Sequence, residues 1–236
     1  MTILSMCQNV ADFTGFERPT SVISNTDPIA RQLLALAQRE GKQLMRVSDW
    51  AILKKEHTFS TSNGTAAYAL PSDFDRLVLE TSYNRSDNDI LTGPISSAEY
   101  QLVNHGMATT GTTEKFRLKA ASNALKFELD PTPSSTQTIG FEYVSNQFCQ
   151  SNGGSGQAAW AADTDVGILD ETTMEMGITW RFKAAHGLDF AEDFRQYQLE
   201  VRQAVARNGS SPVLQLDDAR KLIVGPYQSD GNYGIS

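Results

Sequence analysis

The sequence predicts an α+β fold: a helical bundle built from the N- and C-terminal helices, an antiparallel β domain inserted between them, and an extended C-terminal arm. Three observations predict it. Almost forty residues of helical pattern run from Asp170 to Asn208, and a second long helical pattern opens at Asp27-Pro28. Between about His57 and Gln150 the apolar period drops from 3.6 residues to 2. An amphipathic helix cannot hide its own stripe, so the two helical stretches must cover each other. The boundaries that follow are 1–55 and 165–208 for the bundle, 56–150 for the β domain, 151–164 for a linker and 209–236 for the arm.

Taken in order, Thr2 to Thr14 reads as a short helix with Ile3, Cys7, Val10 and Phe13 or Thr14 on one side, ended by Gly15 and Pro19. Asp27 is an N-cap with proline at the first helical position behind it. The helix it starts carries Ile29, Leu33, Leu36, Ala37, Leu44, Val47 and Ala51, and is expected to reach about Lys54. That makes it roughly 40 Å long. Gly41 weakens its middle by about 1 kcal/mol relative to alanine and invites a bend.

Strands are predicted from His57 to Thr61, from Arg76 to Tyr83, from Lys115 to Lys119, through Leu125, Phe127 and Leu129, and through Ile139, Phe141 and Tyr143. Ala121-Ser122-Asn123 is short enough for a hairpin turn, and Asp130-Pro131 is a second break. The strands read as a meander, interrupted by a short helix from about Ser97 to Asn104. The segment Tyr68 to Arg76 reads as a structural corner, where Asp73 bonds the backbone two residues on, Phe74 plugs a core and Arg76 is available to a subunit contact. Residues 151–156, rich in Ser and Gly, read as a flexible joint.

The C-terminal pattern divides in two at His186-Gly187-Leu188. Asp170 caps the first helix, Glu171 complements its dipole, and Gly187 takes the C′ position; Met174, Ile178, Phe182 and Ala185 form its stripe. Asp189 caps the second, whose stripe is Phe190, Phe194, Tyr197, Val201 and Val205, ending at Asn208-Gly209. Beyond Gly209 no period survives, yet Val213, Leu214, Leu216, Leu222, Ile223, Val224, Tyr227 and Tyr233 are too apolar for a solvated tail. An arm that orders on a partner fits this composition.

The formal charge is −8, from 28 acidic and 20 basic residues, which argues against a phosphate-neutralising grip on nucleic acid but suits a wall past which DNA slides. Cys7 and Cys149 form no motif and read as free thiols of a reducing compartment. No stretch approaches the ~18 apolar residues of a membrane helix, and the reading is of a soluble protein made in a cytoplasm. The three histidines, His57, His105 and His186, lack partners at metal-ligand spacing. The run from Asp163 to Gly167 opens like a calcium loop, but its glycine comes one residue early and Met174 stands at the closing position. Glu171 and Glu175 are the most tempting carboxylate pair, and cap and dipole roles explain them. No catalytic, cofactor or metal residue is assigned.

Five features in order give the chain a family resemblance. A short helix ends near Gly15-Phe16-Glu17-Arg18-Pro19, and Asp27-Pro28 opens a helix closing on Trp50-Ala51-Ile52-Leu53. Leu70 to Arg76 follows, then Leu91-Thr92-Gly93-Pro94-Ile95-Ser96, then the run from Trp180 to Phe190. In these the chain resembles the head-to-tail adaptor proteins of tailed phages, the group of tail accessory factors and tail tubular protein A-like adaptors that dock beneath the portal. The resemblance implies a virion protein at the head–tail interface, present in the host cytoplasm during assembly. It implies a ring of about twelve copies, contacts with portal and with the tail nozzle or tube, and DNA passing through without sequence-specific binding. It also implies that the apolar arm residues above bind portal. Trp50, Trp160 and Trp180 are candidate interface anchors. Some relatives are credited with cell-wall hydrolysis, so a virion-associated peptidoglycan hydrolase on the same scaffold is the alternative. A carbohydrate-binding β module is a third reading, weakened by the absence of repeated Trp or Tyr platforms on the predicted strands.

Overall fold

The computed structural model of the chain describes residues 1–105, 114–121 and 123–209. It is an α+β fold with five helices and antiparallel sheets among those residues.

Helix α1, Ile3–Thr14, starts where the Thr2 hydroxyl accepts from the Ser5 N–H at 3.2 Å and stops at Gly15, whose φ of +75° suits a left-handed cap. Helix α2, Pro28–Val47, starts at Asp27, whose carboxylate accepts from the Ala30 N–H. It ends at Val47 instead of running on to Lys54, and is therefore about 30 Å long. The reason lies in its last carbonyls. Trp50 Nε1 donates to Leu44 O at 2.8 Å, while Arg76 Nη2 donates to Met45 O and, at 2.9 Å, to Ser48 O. Side chains satisfy groups that another turn would have satisfied. A 3-10 turn, Ala51–Leu53, leads into the first strand. Nor does Gly41 mark a weak hinge. A Cβ there would lie 2.3 Å from the Phe148 ring, so the glycine is the seat on which the ring rests.

Strand β1 (Lys54–Ser60) is followed by β2 (Ala67–Ala69), β3 (Phe74–Leu77), β4 (Tyr83–Asn84) and β5 (Asp89–Ile90). Helix α3 (Ser97–His105) precedes β6 (Lys115–Ala121), β7 (Ala124–Asp130) and β8 (Thr138–Ser145). These strands do not form a meander. Strand β8 is a hub that pairs with β1, β3 and β4, while β2, β7 and β6 make a separate sheet. The strand expected from Arg76 to Tyr83 is split, because Glu80 turns at φ +62° and Thr81 Oγ1 donates to Val78 O. The hairpin joining β6 to β7 forms where it was expected, with Asn123 at φ +61°. Phe116, Phe127 and Phe141 stack in succession at 4.4 and 5.1 Å and fill the space between the sheets.

The Ser/Gly-rich stretch expected as a joint is a hairpin. Strands β9 (Cys149–Gln150), β10 (Gly156–Gln157) and β11 (Val166–Gly167) form a third small sheet, turning at Gly154 with φ +83°. The Asp163 carboxylate accepts the N–H groups of Val22 and Ile23, and Asp165 those of Ala161 and Ala162. The two acids that opened a calcium-like motif therefore hold loops.

Helix α4 (Glu171–Ala185) is capped by Asp170, which accepts from both the N–H and the hydroxyl of Thr173. It closes in a Schellman motif: Leu188 N–H reaches Lys183 O at 2.9 Å and Gly187 N–H reaches Ala184 O. Helix α5 (Ala191–Asn208) has Phe190 rather than Asp189 at its N-cap, although Asp189 still accepts from the Ala191 N–H. Helix α4 packs against α1, α2 and α5. Ile3, Val10, Leu33, Leu44, Ile178 and Phe182 are among the fully buried side chains of that core. Five predicted stripe residues, Phe13, Val47, Ala51, Ala185 and Phe190, are exposed, Ala51 because α2 stops before it. Val47 lies in the last turn of α2, and Phe190 and Ala185 flank the corner, beyond the reach of covering helices.

Candidate assembly interface

At the centre of the helices sits a charged network that sequence reasoning missed. Glu40 of α2 is 0 % exposed. Arg181 of α4 pairs with it through Nη1, which also donates to Gly177 O at 2.8 Å, while Nη2 reaches Gln43. From α5, Tyr197 donates its hydroxyl to Glu40 at 2.7 Å. Burial pushes the Glu40 carboxyl above its ordinary value, against the opposing pull of Arg181 and Tyr197, and burial likewise raises the Tyr197 hydroxyl. The signal was present: Glu40 falls on the buried arc between Ala37 and Leu44, and Gly177 interrupts α4 where a Cβ would stand 2.2 Å from the Glu40 carboxyl carbon.

A second carboxylate organises the β strands. Asp73 accepts from Lys55 Nζ at 2.7 Å and from the hydroxyls of Tyr143 and Ser145, each at 2.9 Å. Its partners are therefore side chains, not the backbone two residues on. Burial alone would raise this carboxyl, but the three donors outweigh it and hold it below the ordinary carboxylate range. The same burial and contact push Tyr143 up to about 12. Phe74 stacks on Tyr143 and is only half-buried. Arg76 spends its guanidinium within the chain, on Asp49, Asp75 and the end of α2.

The other nominated residues divide. Trp50 and Trp160 are buried, whereas Trp180 is half-buried and carries Phe194 at a ring distance of 4.8 Å. Glu171 pairs with the Met1 amino group, and Glu175 accepts from Asn9 Nδ2 at 3.0 Å. Cys7 and Cys149 are buried free thiols, each pushed up to about 12 by burial, with Asp163 and Asp165 respectively adding to it. Of the arm, Val213, Leu214, Leu216, Leu222, Ile223, Val224, Tyr227 and Tyr233 lie outside the described residues. The point from which that segment departs is well defined. Asn208 donates to Asp49 O at 3.1 Å and accepts from the Ala51 N–H at 2.7 Å, beside a hollow of about 260 Å³ lined in part by Trp50, Ile52, Ile168 and Leu169. Ile52 is 63 % exposed there.

The family model described as SU10 adaptor protein matches residues 1–219, from the start of α1 to beyond the end of α5. The chain belongs to that family. SU10 adaptors are a phage head-to-tail adaptor family, which gives the chain a structural role in the virion and contacts, in general terms, with portal and tail proteins. No curated protein matches the chain. Among the described residues no helix of this SU10 adaptor is long and apolar enough to cross a membrane.

Proposed function

We propose that this chain is the subunit of a ring of about twelve copies that joins the portal to the tail nozzle or tube and continues the DNA exit channel. The observation that carries the reading is the SU10 adaptor match across residues 1–219. The helices from both ends of the chain act as one bundle that packs side by side with its neighbours, and the β strands reach toward the tail. The role is structural rather than catalytic, and its place is the virion. Net charge of −8 per copy keeps the channel from holding DNA that must pass.

In this reading the segment beyond Gly209 is a portal-binding arm that grips through Val213, Leu214, Leu216, Leu222, Ile223, Val224, Tyr227 and Tyr233. Ordering such an arm costs conformational entropy, and simultaneous engagement of many copies on one portal ring offsets it. The departure point pinned by Asn208 directs all arms from equivalent positions. Deleting residues 213–236 is expected to leave a folded chain that portal no longer captures in a pull-down. Capture at equal affinity would remove the arm assignment. Negative-stain images of the full chain mixed with portal test the ring itself.

A further inference from the structure

Two surface features remain unused by the fold. On α2, Arg31, Arg39, Lys42 and Arg46 are exposed, and no side-chain hydrogen bond or ion pair engages them among the described residues. At 100° per residue they occupy an arc of about 80°, centred opposite the buried Leu33, Ala37 and Leu44. Four uncompensated cations in one row stand out on a chain of net charge −8.

The other feature is a cavity of about 160 Å³ between α1, α4 and α5, lined by Phe13, Glu175, Met176, Thr179, Asp193 and Gln196. Phe13 is 65 % exposed although it lies on a helix that buries its neighbours. Lys183 sits over one face of its ring at 4.6 Å and pairs with Asp193 at 2.7 Å. Glu175 pairs with no cation among the described residues; Asn9 is its hydrogen-bond donor. An open aromatic face, an unneutralised carboxylate and an amide oxygen make a slot suited to an ammonium or guanidinium head.

The row and the slot lie on opposite sides of the helical layer. Around α4, Gly177 and Arg181 face α2, while Glu175, Met176 and Thr179 face the cavity, roughly 180° away. We infer that the cavity receives a cationic side chain from α2 of a second copy of this chain, with Arg39 at mid-row the principal one. Each copy then offers a row on one side and a slot on the other, the unlike-patch contact that generates a closed ring when the rotation allows. This rests on the ring reading above. Nucleic acid is the poorer occupant for the row, because the chain's overall charge repels phosphate.

The test uses full-length chains, followed by native mass spectrometry alone and with purified portal assemblies, folding being checked by circular dichroism. One variant loses the row (R39E/K42E, or R39Q/K42Q if the first fails to fold); the other loses the slot (F13A/E175Q). Each alone is expected to self-associate about thirtyfold or more weakly, the scale of a hot-spot residue. Mixed together they are expected to form a heterodimer and nothing larger, since one intact row meets one intact slot. Variants that assemble as the parent does overturn the interface and leave the ring reading standing. Loss of duplex-DNA retention in R39E/K42E with assembly intact overturns it in favour of a phosphate-facing row. A parent chain that stays monomeric even with portal overturns the ring reading itself, and the parent sample alone reveals that.

Discussion

Glu40 in the helical layer and Asp73 among the strands do similar work in different surroundings: burial raises both carboxyls, but only at Asp73 do the donors outweigh it. Glu40 is wholly enclosed, so the cost of desolvation outweighs Arg181 and Tyr197 and its carboxyl rises. Asp73 lies near the rim, where desolvation is smaller than the sum of three donors, and its carboxyl falls. The same residue chemistry thus joins three helices in one case and fastens strands in the other. What differs is the penalty for losing a partner. At the centre an orphaned charge has no water to turn to; at the rim it does.

The largest effect expected from breaking this contrast is at Glu40. Glu40→Leu strands the Arg181 guanidinium and should cost about 3–5 kcal/mol in denaturant unfolding. Replacing the whole set, with Arg181→Met and Tyr197→Phe added, should recover much of that loss, because a well-packed apolar core avoids the desolvation cost. If the single and triple variants melt alike, the network is not the lock that the geometry implies. Asp73→Asn should cost about 2 kcal/mol at neutral pH, the range of a hydrogen bond to a charged group. The sign of its pH dependence follows from the lowered carboxyl. Asp73 contributes stability above the unfolded value of about 4, and that contribution is lost as pH falls through the folded value. The gap between parent and variant should therefore narrow below about pH 4. A gap that widens in acid would contradict it. The smallest effect is at Phe194, half-buried against Trp180, where alanine should cost about 1–2 kcal/mol in a thermal melt, less than the ~3–5 of a fully enclosed ring.

Features governed by neighbours in the chain were legible in the sequence. Asp27 and Asp170 cap their helices and Gly187 closes α4, because each needs only residues within a turn of itself. The end of α2 was not, since Arg76 arrives from a strand to satisfy its carbonyls. The strand periods were visible, but the partners of β8 were not, because pairing joins residues as distant as Lys54 and Val144. A Ser/Gly run reads alike as a joint or a hairpin turn until its flanks are seen to pair. Glu40 was passed over because a charge on a helix ordinarily marks the solvent side. Spacing puts Phe13 or Thr14 on the apolar side of α1, and only the placement of α4 and α5 around Phe13 reveals that its ring stays exposed.

The grip of Arg76 on the final turn of α2 also has a mechanical meaning. Its strand is laid along β8, while its side chain holds the carbonyls of Met45 and Ser48. Any tilt of that strand away from the end of α2 therefore has to break those two bonds, in addition to bending the short covalent link through Ala51–Leu53.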